Sequence, residues 1–244
     1  GDEIAHLEAI EADATLGAPH STHPGSPLFV SRFRQYLDIA TTRAFKPAFT
    51  VLTADKDDPR FDPFFQHGNL ARYFIALFLP SLPSYVSLGF ETRGNHLCRV
   101  ANESYTKLYV FRINDPLQTD KYTGGSFVWE RNWEQFAHVQ KLRALSERIF
   151  PSLHEPVTWL SYPDPTGSTP YTAWAVGRFV FLVNLNGKAI SRHVTLPNRW
   201  PAARLELYYS SAMLEEHAVV ANARFVTLSS LKPEECRIYV VSAE

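Results

Sequence analysis

The sequence predicts an α/β segment with parallel strands, followed by an all-β antiparallel sandwich. Three observations carry this expectation. A short apolar run passes into a charged loop, then a helix, then a second apolar run. A long amphipathic stretch ends at a proline. Beyond Pro156 the texture changes to short apolar runs separated by turn residues.

Taken in order, residues 2–12 place Ile4, Leu7 and Ile10 on one helical stripe, and residues 15–27 read as a loop from their Pro, Gly and Ser content. Residues 28–45 carry Phe29, Val30, Phe33, Tyr36, Leu37 and Ile39 at near-helical spacing, and Pro47 stops that helix. Residues 48–53, Ala-Phe-Thr-Val-Leu-Thr, form a nearly continuous apolar run that ends in Asp55-Lys56-Asp57-Asp58-Pro59. Strands of a parallel sheet are covered on both faces and read this way. Residues 69–79 are predicted helical, with Asn69 as the cap and Pro80 as the terminator, and residues 84–88 are a second strand. Together these make a βαβ connection.

Residues 129–149 form the longest predicted helix. Its stripe of Trp133, Phe136, Val139, Leu142, Leu145 and Ile149 steps by three and four, and Pro151 closes it. Seven runs come after it, at 157–162, 171–176, 179–185, 191–196, 204–209, 223–228 and 237–241. Asn186-Gly187 and Pro197-Asn198 punctuate them, as expected of an antiparallel sandwich. The change of texture puts a domain boundary near residues 150–156, giving units 1–152 and 153–244.

Composition excludes several classes. A 45% hydrophobic and 14% aromatic content supports a packed core. A formal net charge of −1, with basic residues spread along the chain, offers no surface for nucleic acid. The most apolar stretch, 70–90, is interrupted by Arg72, Pro80, Pro83 and serines, so no membrane span is expected. The two cysteines, Cys98 and Cys236, make neither a disulfide framework nor a zinc pattern, so the cytoplasm is the expected location. The acidic first residues lack the basic start and apolar middle of a signal peptide.

Four segments, in this order, resemble the end of the glycoside hydrolase family 13 (α-amylase) barrel and its C-terminal β-domain. The first is Phe74-Ile75-Ala76-Leu77-Phe78-Leu79-Pro80-Ser81-Leu82-Pro83, an apolar helix running into a proline-containing turn. The second is the strand Ser84-Tyr85-Val86-Ser87-Leu88 with Gly89-Phe90-Glu91 after it. The third is Lys141-Leu142-Arg143-Ala144-Leu145 ahead of a proline, and the fourth is Phe179-Val180-Phe181-Leu182-Val183-Asn184-Leu185. The wording is most similar to the maltosyltransferase and trehalose-synthase-like branch.

The resemblance implies that the α/β unit is a partial (β/α)8 barrel, holding its last strands and helices. It also implies an α-glucan or oligosaccharide ligand and no cofactor. Family members use a carboxylate nucleophile and a carboxylic acid, one forming the glycosyl intermediate and the other protonating the leaving oxygen. The nucleophile motif, an Arg two places before the Asp on an apolar strand, is not found before Phe49. The resemblance therefore implies a truncated protein without its own catalytic pair. The family's third carboxylate, which holds substrate hydroxyls, matches Asp55, the one catalytic candidate. Ala54 stands where the family has His or Pro, and Leu52 where it has Asn.

Other chemistry is weaker. Asp55, Asp57, Asp58 and Asp62 lack the spacing and turn glycine of an EF-hand calcium loop. His20 and His23 lie in a Pro/Gly/Ser loop without a third ligand, so no metal site is expected. Glu91 reads as a loop cap or ion-pair partner. Of the tryptophans, Trp133, Trp159 and Trp174 read as core residues, whereas Trp129 and Trp200 remain open to stacking on sugars. A carbohydrate-binding or subunit-interaction module, or an active site completed by another chain, are the alternatives. Apolar parallel strands need cover, so a two-fold dimer or a partner polypeptide burying the surface around Val51, Tyr85 and Leu88 is expected, with residues 2–45 folding back as the other candidate cover.

Overall fold

The computed structural model describes residues 30–38 except 32 and 36, 49–51, 69–80, 84–86, 133–166, 171–185, 188–200, 203–212, 219–220 and 225–243. The apolar run at 48–53 forms β1 (Phe49–Val51), and the run at 84–88 forms β2 (Ser84–Val86). They pair in parallel, with Phe49 opposite Ser84 and Val51 opposite Val86. The intervening α1 (Asn69–Phe78) completes the βαβ unit expected from the sequence. Of the predicted 28–45 helix, residues 30, 31, 33–35, 37 and 38 are helical, and Val30, Phe33 and Leu37 are buried.

The second long helix is α2 (Trp133–Ile149). Val139, Leu142, Leu145 and Ile149 of its predicted stripe are buried. Pro151 does end it, but the chain continues into a 3-10 turn, Phe150–His154, instead of leaving the helix axis at once. A proline in the first turn loses no hydrogen bond, because that N–H has no partner there anyway.

After this turn come β3 (Thr158–Ser161), β4 (Thr172–Val176), β5 (Phe179–Val183), β6 (Ile190–Thr195), β7 (Ala203–Ser210), β8 (Val219–Val220), β9 (Phe225–Leu231) and β10 (Cys236–Ala243). Six of them make an antiparallel sheet in the order β3-β4-β5-β10-β7-β8, and β6 pairs with β9 in a separate sheet. The seven predicted runs correspond to seven of these strands. The two-residue β8 is too short to leave a pattern in the sequence.

β4 and β5 are buried at every position. Successive strand side chains point to opposite faces. Ala173, Ala175, Val180 and Leu182 pack with Val194, Leu205, Leu207 and Leu231 against the β6–β9 sheet. Trp174, Val176, Phe181 and Val183 pack with Phe74, Phe78, Leu142 and Ile149 of the helices. The large sheet is thus the middle of three layers, and the residues on either side of position 152 share one core.

A register shift between Ile238 and Tyr239 sets Ile238 opposite Tyr209 but Tyr239 opposite Leu207, leaving Tyr208 as an extra residue. This β-bulge reverses the facing of the residues beyond it. Leu207 lies in the core beneath the small sheet, and Tyr209, two residues on, lies in the helical core.

Asn184, fully buried, closes the end of β5. Its side-chain amide donates to the carbonyls of Lys188 and Lys232, each at 2.9 Å, while its backbone N–H donates to the Glu235 carbonyl at 3.0 Å. That is the physical reason for an Asn-Leu after an apolar strand.

The β4–β5 hairpin turns through Gly177 and Arg178, with Val176 opposite Phe179. Gly177 has φ +56°, and a Cβ there would lie 2.9 Å from Ser152 Cβ in the 3-10 turn. Both the backbone and the space demand glycine. Gly177→Ala should cost about 1–3 kcal/mol, from left-handed strain plus displacement of the turn. Urea unfolding checks this, and an unchanged midpoint would contradict it.

Candidate functional site

In parallel α/β architectures, chemistry gathers at the C-terminal ends of the strands, where the loops emerge. Here the in-register pairing sets Val51 and Val86 level. Asp55 comes four residues after Val51, and Glu91 five residues after Val86. Asp55, Asp57, Asp58, Asp62 and Glu91 all lie outside the described residues, as do His20, His23, Cys98, Leu88 and Trp129. The side chains of Val51, Tyr85 and Trp133 do as well. The arrangement of these sequence-predicted site residues thus falls outside the described residues.

Three of the buried polar groups among the described residues bear on chemistry. Arg72 of α1 is buried, with desolvation pushing its guanidinium down to about 9 against the opposing pull of Glu234. It remains a cation at neutral pH. Glu235 is buried and fully engaged. Its carboxylate accepts from Ser210 Oγ at 2.9 Å, the Lys232 N–H at 2.8 Å and Arg237 Nε at 2.6 Å. A carboxylate held this way fixes the turn between β9 and β10.

The third joins helix to sheet. Tyr209 Oη and His138 Nδ1 are 3.0 Å apart, both buried, and the rings meet edge to face. Burial pushes the Tyr209 hydroxyl far up, so it stays neutral. The β-bulge explains how Tyr209 reaches His138. Neither residue stood out in the sequence: His138 lies on a helix and reads as surface, and Tyr209 ends a strand run as an ordinary core aromatic does.

The tryptophans divide as expected for two of them. Trp174 is fully buried and donates its indole N–H to the Phe78 carbonyl at 2.8 Å, and Trp159 packs half-buried beside it. Trp200 is half-buried, with the Arg199 guanidinium 4.5 Å over its ring. Cys236 is buried and unpaired by disulfide, and its thiol is pushed well up by burial and the neighbouring Glu235 and Glu234. Such a thiol is unreactive. Among the described residues no cluster of three His, Cys, Asp or Glu could hold a metal ion, and no helix is long and apolar enough to cross a membrane.

A groove of about 880 Å³ opens where α1, α2 and the 3-10 turn end together. Leu77, Leu79, Leu153 and Val157 line its apolar part, and Phe150, Glu147 and Glu155 stand around it. The C-terminus of α1 leads into the start of β2, so the groove lies at the opposite end of this unit from the loops after β1 and β2. It is largely apolar, with Glu147, His154 and Glu155 also on its lining.

No family profile and no curated protein sequence matches the chain. Solved structures do. An α-amylase from Geobacillus thermoleovorans, in complex with acarbose, superposes with a TM-score of 0.59 at 14% identity, covering 96% of this chain and 47% of that one. The fold resembles part of the α-amylase fold. Trehalulose synthase MutB from Pseudomonas mesoacidophila matches with a TM-score of 0.53 at 15% identity, covering 87% of this chain and 47% of the synthase. An inactive double mutant of MutB in complex with isomaltulose gives 0.53 at 14%, again covering 47% of that chain. The chain thus spans just under half the length of the structures it matches. At such identities the likeness concerns fold alone.

Tyr209→Phe should lower stability by about 1–2 kcal/mol, since it removes one buried hydrogen bond and leaves the packing intact. Thermal or urea unfolding measures it. A neutral result would mean that the His138–Tyr209 contact contributes nothing to joining helix and sheet.

Proposed function

We propose that this chain is the part of an α-amylase-type, α-glucan-active protein that lies beyond the nucleophile and acid. Residues 1–152 supply the closing portion of a (β/α)8 barrel and residues 153–244 the C-terminal β-sandwich. The observation that supports this most is the parallel β1–β2 pair with its covering helix, joined to an antiparallel sheet in a fold like that of α-amylase and trehalulose synthase. The maltosyltransferase and trehalose-synthase-like branch is the proposed affiliation.

In this reading Asp55 is the substrate-holding carboxylate. Four residues of chain reach at most about 14 Å, so it stays near the C-terminal end of β1. Its role is to accept hydrogen bonds from sugar hydroxyls and to stabilise positive charge developing at the anomeric carbon. Nucleophilic attack and protonation of the leaving oxygen need two more carboxyl groups, which no motif before Phe49 supplies. These come from elsewhere in a longer polypeptide or from another chain. The ligand class is an oligosaccharide, in keeping with the acarbose and isomaltulose complexes of the matching structures. A reducing cytoplasm suits the buried free thiol of Cys236. The subunit-interaction reading is favoured by one further observation, the exposed apolar groove.

Incubated alone with maltooligosaccharides, the chain should release no reducing ends, because positioning by one carboxylate does not replace covalent and proton-transfer catalysis. Reducing-sugar assay checks this. Turnover that is abolished by Asp55→Asn would contradict the proposal and show that the chain carries its own chemistry.

A further inference from the structure

We propose that the groove at the ends of α1 and α2 is a self-complementary interface, occupied by Phe150 of a second copy of this chain in a two-fold dimer. Phe150 is 58% exposed, the one large apolar side chain so exposed among the described residues. It stands on the wall of a groove of about 880 Å³ whose floor is Leu77, Leu153 and Val157. Knob and hole therefore belong to the same patch, which is what an isologous contact requires.

Charge along the patch selects the partner. Arg143 and Glu147 of α2 and Phe150, which opens the 3-10 turn continuing it, succeed one another at steps of four and three, and Arg143 and Glu147 are 76% and 70% exposed. Arg143 precedes Phe150 by seven residues, or about 10 Å of α-helix. Glu155 lies five residues beyond Phe150, about 10 Å of 3-10 rise. Reversing the patch about Phe150 brings each Arg143 opposite the Glu155 of the other copy. The groove itself is edged by Glu147 and Glu155 with no lysine or arginine lining it, so it favours a cationic visitor, and the patch carries its own. The weak internal Arg143–Glu147 pair, at 3.6 Å, is exposed and costs little to loosen. This inference does not depend on the reading of Asp55, because it concerns the opposite end of the unit.

Sedimentation velocity or light scattering of the full chain at micromolar concentration tests it. The chain should be a dimer, and Phe150→Asp, at an exposed site, should weaken association by about tenfold or more while leaving circular dichroism unchanged. Arg143→Glu and Glu155→Arg should each be monomeric alone and should dimerise when mixed, because only the mixed pair restores both ion pairs. A monomeric wild-type chain, a dimer indifferent to Phe150→Asp, or single variants that fail to combine would each overturn the proposal.

Discussion

The structure depends on the burial of α1 from all sides. Ala71, Arg72, Tyr73, Phe74 and Ile75 are consecutive and all buried, which no helix achieves when only one face meets a core. One side belongs to β1 and β2, another to α2, and the rest faces the six-stranded sheet. Phe74 meets Trp174 and Phe181 edge to face, Phe78 stacks on Phe181 at 5.1 Å, and Trp174 donates to the carbonyl of Phe78. That hydrogen bond satisfies one of the carbonyls that a helix end leaves without a partner. It ties the last turn of the helix to the middle of the sheet.

From this contact the layering arises. A sheet that must bury aromatic side chains toward α1 and α2, and aliphatic ones toward β6 and β9, cannot carry a polar alternate face. Hence β4 and β5 read as unbroken apolar runs, Thr-Ala-Trp-Ala-Val and Phe-Val-Phe-Leu-Val. The bulge at Tyr208 solves a local version of the same problem, turning Tyr209 toward His138 while Leu207 stays with the small sheet. Residues on either side of position 152 thus pack in one core.

Much of this was legible in the sequence. The stripe in α2, the proline stops at Pro80 and Pro151, the strand–helix–strand order and the parallel pairing all come from local periodicity and breaker residues. Strand ends moved by one to three residues, as at 223–228 against Phe225–Leu231, because hydrogen bonding outlasts the apolar pattern. The bulge and the split into two sheets were not legible, since each is set by the layer that packs above the strand. Sequence reasoning placed function at Asp55, beside a strand end, and that carboxylate lies outside the described residues. It passed over Phe150 and the groove, because an aromatic next to a helix-ending proline looks like the last residue of a core stripe. Only exposure distinguishes the two.

The central claim is that α1 binds the helices and the large sheet into one cooperative core, and Phe74→Ala tests it most directly. Unfolding should be tracked at once by far-ultraviolet circular dichroism and by tryptophan fluorescence. The account predicts a single transition in both signals, with Phe74→Ala shifting both together by about 3–5 kcal/mol. Two separate transitions, of which the substitution moves only one, would contradict it.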